Sequence, residues 1–199
     1  MKSVGLTSYP SALLVDSSGR IVFGGYPGEI DDEMVEKAIR GALTEPIYQW
    51  PDALEDAADA LRAGKLGKAI SEAEAAGEEL AEYVDELVGL LDGRVDILEE
   101  AHGIGDYLAV IEMAEELEEA IDGREQEAKV QGLVSDITKN RDKRMVLEAQ
   151  KDIAKMLSKK VKRKDVSKLV KKLEKLRAKH PGTIIDLEVD EAIAKLRAI

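Results

Sequence analysis

Two short apolar runs open the pattern, Leu13-Leu14-Val15 and Ile21-Val22-Phe23. Each is bounded by turn residues, as short buried strands are. Between them, Asp16-Ser17-Ser18-Gly19 supplies side chains that bond local backbone and a glycine that accepts positive φ. The spacing predicts an antiparallel hairpin, broken by Gly24-Gly25-Tyr26-Pro27-Gly28. A helix is expected next, capped by Asp31 or Asp32. Met34, Val35, Ala38, Ile39, Ala42 and Leu43 share its apolar face, and Pro46 prevents continuation.

From Trp50 onward the apolar positions recur only at helical spacing. Leu54, Ala57, Ala58 and Leu61 trace one face, ended by Gly64. Leu66, Ala69, Ile70 and Ala73 trace the next, interrupted by Gly77. Leu80, Val84, Leu87, Val88, Leu91, Val95 and Leu98 form a longer stripe, in which Gly89 and Gly93 lower helix propensity without breaking it. His102-Gly103-Ile104-Gly105-Asp106 reads as a loop with a cap. Stripes follow from Tyr107 to Ile121, from Ala128 to Ile137 and from Val146 to Met156. The cleanest face runs from Val166 to Leu176 and stops at His180-Pro181-Gly182-Thr183. Ala192, Ile193 and Leu196 close the chain on a last helix. Short loops between amphipathic helices imply antiparallel neighbours. Gly105-Asp106-Tyr107 and His180-Pro181-Gly182-Thr183 look like pieces of tetratricopeptide-type repeats, but the 34-residue period is not sustained.

The opening strand–turn–strand–helix has Tyr9-Pro10 in front of it. In that order it resembles the second half of a thioredoxin-like (redoxin) domain, over residues 3–43, roughly a fifth of the chain. The resemblance implies a cis Pro10 before a sheet strand, which an X-Pro bond allows at small cost. It also implies a peptide-binding role for Tyr9 and Pro10, whose neighbouring backbone pairs with bound peptide in that family. The lysine-rich helical extension adds a looser similarity to multi-domain bacterial redoxin-type proteins. The expected class is α+β, mostly α: a thioredoxin-like strand–strand–helix remnant over 1–46, then an antiparallel helical bundle or helical-hairpin array over 50–199.

The chain departs from the family at its chemistry. Thiol–disulfide exchange needs a reactive thiolate at a helix N-terminus, and this sequence has no cysteine. The unit that would carry Cys-x-x-Cys should precede residue 1. The chain is therefore expected to be a non-catalytic fragment of a thioredoxin-like, thiol–disulfide oxidoreductase-type protein, with a degenerate relative as the other possibility. An isolated hairpin is marginal in water, so the helices after Trp50 are expected to cover its apolar faces.

Apolar residues make up 44% of the 199, enough for a core. No run approaches the ~18 apolar residues of a membrane span, and no secretory leader is read. A segment preceding Met1 would be the place for one, so the compartment is left open.

The net charge of −12 hides an asymmetry. Residues 52–128 hold about 24 acids against about 5 bases, and residues 129–180 about 18 bases against about 6 acids. Segments of opposite sign are expected to pack side by side. The competing reading is a nucleic-acid surface on Lys155, Lys159, Lys160, Lys162, Arg163, Lys164, Lys168, Lys171 and Lys172. No aromatic follows Tyr107 to serve as a stacking platform, and the acidic segment repels phosphate. Neither nucleic acid nor membrane is expected as a partner.

Other motifs are weighed and set aside. Gly64-Lys65-Leu66-Gly67-Lys68 lacks the spacer and the Ser/Thr of a phosphate loop. His102 and His180 lack a metal-ligand partner at i, i+4 and read as surface loop residues. Glu115, Glu116, Glu118 and Glu119 form a solvated face. Met113, Met145 and Met156 read as core filler. Trp50 is expected to anchor the junction between hairpin and helices. No catalytic residue, metal ligand or cofactor is read. The partner class is a protein or peptide. The alternative function is a stand-alone helical adaptor for such a partner, with the hairpin as a pairing edge.

Overall fold

The computed structural model of the chain describes residues 11–17, 20–158 and 161–197. Tyr9, Pro10, Ser18, Gly19, Lys159 and Lys160 lie outside them, and with them the expected cis Pro10. The architecture is α+β and mostly α: among the described residues there are nine α-helices and one two-stranded antiparallel sheet. The chain divides into two compact units, Met1–Ile97 with Leu117–Gln126, and Leu98–Glu116 with Glu127–Ile199.

In the first unit, strands β1 (Ala12–Val15) and β2 (Ile21–Gly25) pair with Leu14 opposite Phe23 and Val15 opposite Ile21, across a bulge. Asp16 closes the turn twice: its N–H donates to the Arg20 carbonyl, and its carboxylate accepts from the Arg20 N–H, both at 2.9 Å. The strands are less buried than expected. Leu14 and Phe23 are half-buried, while Leu13, Val15, Ile21 and Val22 are exposed, the last two by more than half (55% and 53%). In β1 the alternation of strand side chains puts Leu13 and Val15 on the face away from Leu14, and that face lies outside.

Helix α1 (Asp32–Ala38) is capped by Asp31, which accepts from the Met34 N–H at 2.8 Å. It ends before Ala42 and Leu43, short of the expected span. Ser17 accounts for this: its N–H takes the Ala38 carbonyl at 2.9 Å and its hydroxyl the Arg40 carbonyl at 2.7 Å. Gly41 then turns the chain at φ +67°. Carbonyls at a helix end need such partners.

Helices α2 (Glu55–Arg62) and α3 (Leu66–Ala75) pack together across Gly64, at φ +75°. Their buried faces hold Ala57, Ala58, Ala69, Ile70 and Ala73, with Leu54 buried just before α2. Helix α4 (Ala81–Ile104) and helix α5 (Tyr107–Ile121) each contribute to both units. A Cβ on Gly67 would sit 2.7 Å from the Glu119 carbonyl carbon, so this glycine admits a close backbone approach. Trp50 is buried, its ring edge-on to Tyr83 with centroids 5.5 Å apart.

The second unit contains α6 (Gln126–Lys139) from Glu127 onward, α7 (Arg141–Leu157), α8 (Arg163–Arg177) and α9 (Ile185–Arg197). Val146, Ala149 and Ile153 of α7, Leu173 of α8, and Ile185, Val189, Ala192, Ile193 and Leu196 of α9 form one core. Asn140 caps α7 by accepting from the Asp142 and Lys143 N–H groups.

Candidate interaction surface

Helix α8 carries two stripes. Val166, Leu169, Val170, Leu173 and Leu176 turn inward on the core. Lys168, Lys172 and Lys175 recur at intervals of four and three residues, the spacing of one helical face; Lys179 follows four residues on in the turn after α8, and all four are exposed. Beside this row, a groove of about 650 Å³ runs between α7 and α8. Met156, Val161, Leu169 and Leu176 form its floor, packed on the core from beneath and open to the groove above. The four lysines line it with Lys155 of α7, and Asp152 and Asp165 also reach it. A second hollow of about 520 Å³, over Lys164, Ser167 and Lys171, shares Lys168, Lys172 and Lys175.

The electrostatics of α8 differ from one side to the other. Arg177 pairs with Asp190 of α9 and lies 3.7 Å from Glu174. The groove lysines make no ion pair among the described residues. The expected pairing of the basic segment with acidic neighbours therefore does not form at these lysines, although Asp152 and Asp165 share the lining.

Two polar clusters lie elsewhere in the second unit. Gln150 is buried and bonded at both ends of its amide: its Oε1 accepts from the Leu108 N–H at 3.1 Å, and its Nε2 donates to Glu188 at 2.5 Å and to Asp106 at 3.3 Å. Burial pushes the Glu188 carboxyl above the usual range against the pull of Gln150, and Asp106 and Glu191 add to the rise. In the other cluster, His102 Nε2 lies 2.8 Å from Asp136 Oδ2, and Lys143 Nζ reaches the same oxygen. The Tyr107 ring lies 5.7 Å from Lys143 Nζ and tilts towards His102. Hydrogen bonds from Lys143 and His102 hold the Asp136 carboxyl below the usual range.

These positions correct several sequence expectations. His102 and Gly103 are helical: α4 continues to Ile104 and ends at Gly105, φ +88°, with the Asp106 N–H donating to the Ala101 carbonyl. His102 is thus a half-buried hydrogen-bond partner of Asp136, whereas His180 lies in the turn after α8 and bonds through its carbonyl to Thr183. Met113 is buried and Met156 half-buried, but Met145 is exposed and fills no core. Gly64-Lys65-Leu66-Gly67-Lys68 is a helix–helix turn. Among the described residues no group of three or more His, Cys, Asp or Glu is placed to hold a metal ion. No helix among them is long and apolar enough to cross a membrane. Sequence reasoning named several of the groove lysines but missed the apolar floor, which α7 and α8 create only by packing. No family model, no curated protein and no solved structure matches the chain.

Proposed function

We propose that the chain is a non-catalytic interaction protein whose helical second unit binds a protein or peptide in the groove between α7 and α8. One observation carries this reading: an apolar floor, half-buried in the free chain, lies beside a row of lysines that outnumber the two aspartates of the lining and form no ion pair among the described residues. Apolar surface rimmed by polar groups marks a binding site. The absence of cysteine fits a binding role, since no thiolate is available. Panning a random peptide library on the full chain, and in parallel on a Lys168→Glu/Lys172→Glu/Lys175→Glu variant, tests the proposal. The expected clones bind the wild-type chain and lose the variant. Clones indifferent to these substitutions would overturn it.

The hairpin supports a second reading, the thioredoxin-like ancestry. Strands β1 and β2 followed by capped α1 reproduce the strand–strand–helix order, and Val15, Ile21 and Val22 leave apolar surface exposed on the hairpin that a larger domain would cover. The genomic sequence upstream of Met1 tests it. An in-frame strand–helix–strand segment with Cys-x-x-Cys is expected; a stop codon and promoter there would leave the stand-alone adaptor.

A further inference from the structure

Resting on the reading of the groove as a binding site, we infer that its occupant is an acidic amphipathic helix of a partner protein. The lysine row supplies the first reason. Lys168, Lys172 and Lys175 of α8 and Lys179 in the turn after it are separated by eleven residue steps from first to last, about 16 Å at the helical rise. A helix lying along the groove with Glu or Asp at i, i+4, i+7 and i+11 meets each of them. The floor supplies the second. Met156, Val161, Leu169 and Leu176 ask for an apolar stripe on the same occupant, one helical face away from its acids. The groove walls supply the third. They are mainly the helices α7 and α8, with Val161 in the connection between them, so among the described residues an extended peptide finds no strand edge to pair with. A helix satisfies its own backbone, and helix-in-groove docking is the mode that remains.

The same residues disfavour other occupants. A single strand of nucleic acid would stack on aromatics, and the lining has none; a phosphate backbone also offers no apolar stripe for the floor. A bilayer is flat and cannot reach a concave floor. A second copy of this chain would have to offer one of its own acidic helices. The most acidic, α5 with Glu112, Glu115, Glu116, Glu118 and Glu119, already buries its apolar positions Val110, Met113, Leu117 and Ile121.

The test titrates fluorescent synthetic peptides into the full chain at low and at 0.5 M salt. One is a capped 18-residue Leu/Ala/Glu helix with Glu at i, i+4, i+7 and i+11. The others are its scrambled isomer and a version with Leu replaced by Ser. A duplex DNA, a single-stranded RNA and phosphatidylserine vesicles run in parallel. The patterned peptide is expected to bind at least tenfold tighter than both controls. It should lose at least tenfold on Lys168→Gln/Lys172→Gln/Lys175→Gln, exposed changes checked by circular dichroism for retained helix. Equal binding of the scrambled peptide, tighter binding of nucleic acid or vesicles through the same lysines, or salt-sensitive self-association would each overturn the inference. If the patterned peptide fails while library-selected peptides of other chemistry still occupy the groove, this inference falls and the binding-site reading stands. If neither binds there, both fall.

Discussion

Gly41 and Gly93 touch backbone to backbone. A Cβ on Gly93 would lie 2.9 Å from the Gly41 Cα, and one on Gly41 would lie 2.9 Å from the Gly89 carbonyl oxygen and 3.0 Å from the Gly93 Cα. The segment leaving α1 therefore rests directly on α4. This explains a glycine at a helix interior, where it costs about 1 kcal/mol against alanine. The approach is available only without a side chain at either residue.

Gly93→Ala is accordingly expected to destabilise the first unit by about 1–3 kcal/mol, as overpacked sites do, although alanine is the better helix former. Gly89→Ala is the internal control. A Cβ there meets nothing within 4 Å, so the propensity gain of up to about 1 kcal/mol should appear as added stability. Urea denaturation of the two variants measures both signs. Equal effects would show that the contact with Gly41 does not decide stability.

Local signals were legible in the sequence and tertiary ones were not. Gly64, Gly77 and Gly123 all take positive φ at helix boundaries, as their places between apolar stripes indicate. The α8 stripe was equally plain, because one helical period contains it. The end of α1 was hidden: Ser17, twenty-three residues before Arg40, supplies the hydroxyl that takes the Arg40 carbonyl. The loop reading at His102 failed because Gly103 is tolerated inside α4 while Gly105 terminates it. At the groove, the lysine spacing could be read from the sequence. The neighbourhood of Met156 and Leu169 could not, since only helix packing brings α7 and α8 to one floor.

Glu188 predicts a pH dependence in the second unit. Its folded pKa is raised, chiefly by burial, so the folded state holds this proton more tightly than the unfolded chain. Its contribution is most favourable below the ordinary glutamate pKa of about 4.3 and is lost as pH rises through the elevated value. Glu188→Gln keeps an amide oxygen for the Gln150 amide and removes the charge. The variant is expected to be more stable than wild type at pH 7, with the advantage shrinking as pH falls towards 4. Paired urea titrations at several pH values read this directly; a difference that stays constant with pH would refute it.

Asp136 predicts the opposite slope. Hydrogen bonds from Lys143 and His102 lower its folded pKa. Its stabilisation is present above the ordinary aspartate value of about 3.9 and is lost as pH falls through the lowered one. Asp136→Asn should therefore weaken the chain at neutral pH and match wild type in strong acid. Carboxyl chemical shifts followed by NMR give the titration itself. An Asp136 midpoint at or above the ordinary value would contradict the geometry.

Trp50 offers the most direct check of the first unit's packing. It is the only tryptophan in the chain, 8% exposed, and its ring meets the edge of Tyr83 at 65°. Its Nε1 has no hydrogen-bond partner among the described residues. Two consequences are separable. Emission from Trp50 should be blue-shifted and shielded from acrylamide, and Tyr83→Ala should relax both. Because no indole hydrogen bond is lost, Trp50→Phe should cost less than half of Trp50→Ala, for which burial of a large aromatic sets about 3–5 kcal/mol. A Trp50→Phe variant as damaged as Trp50→Ala would mean that the Nε1 proton has a partner after all, and that the residue is held by more than apolar packing and the ring edge.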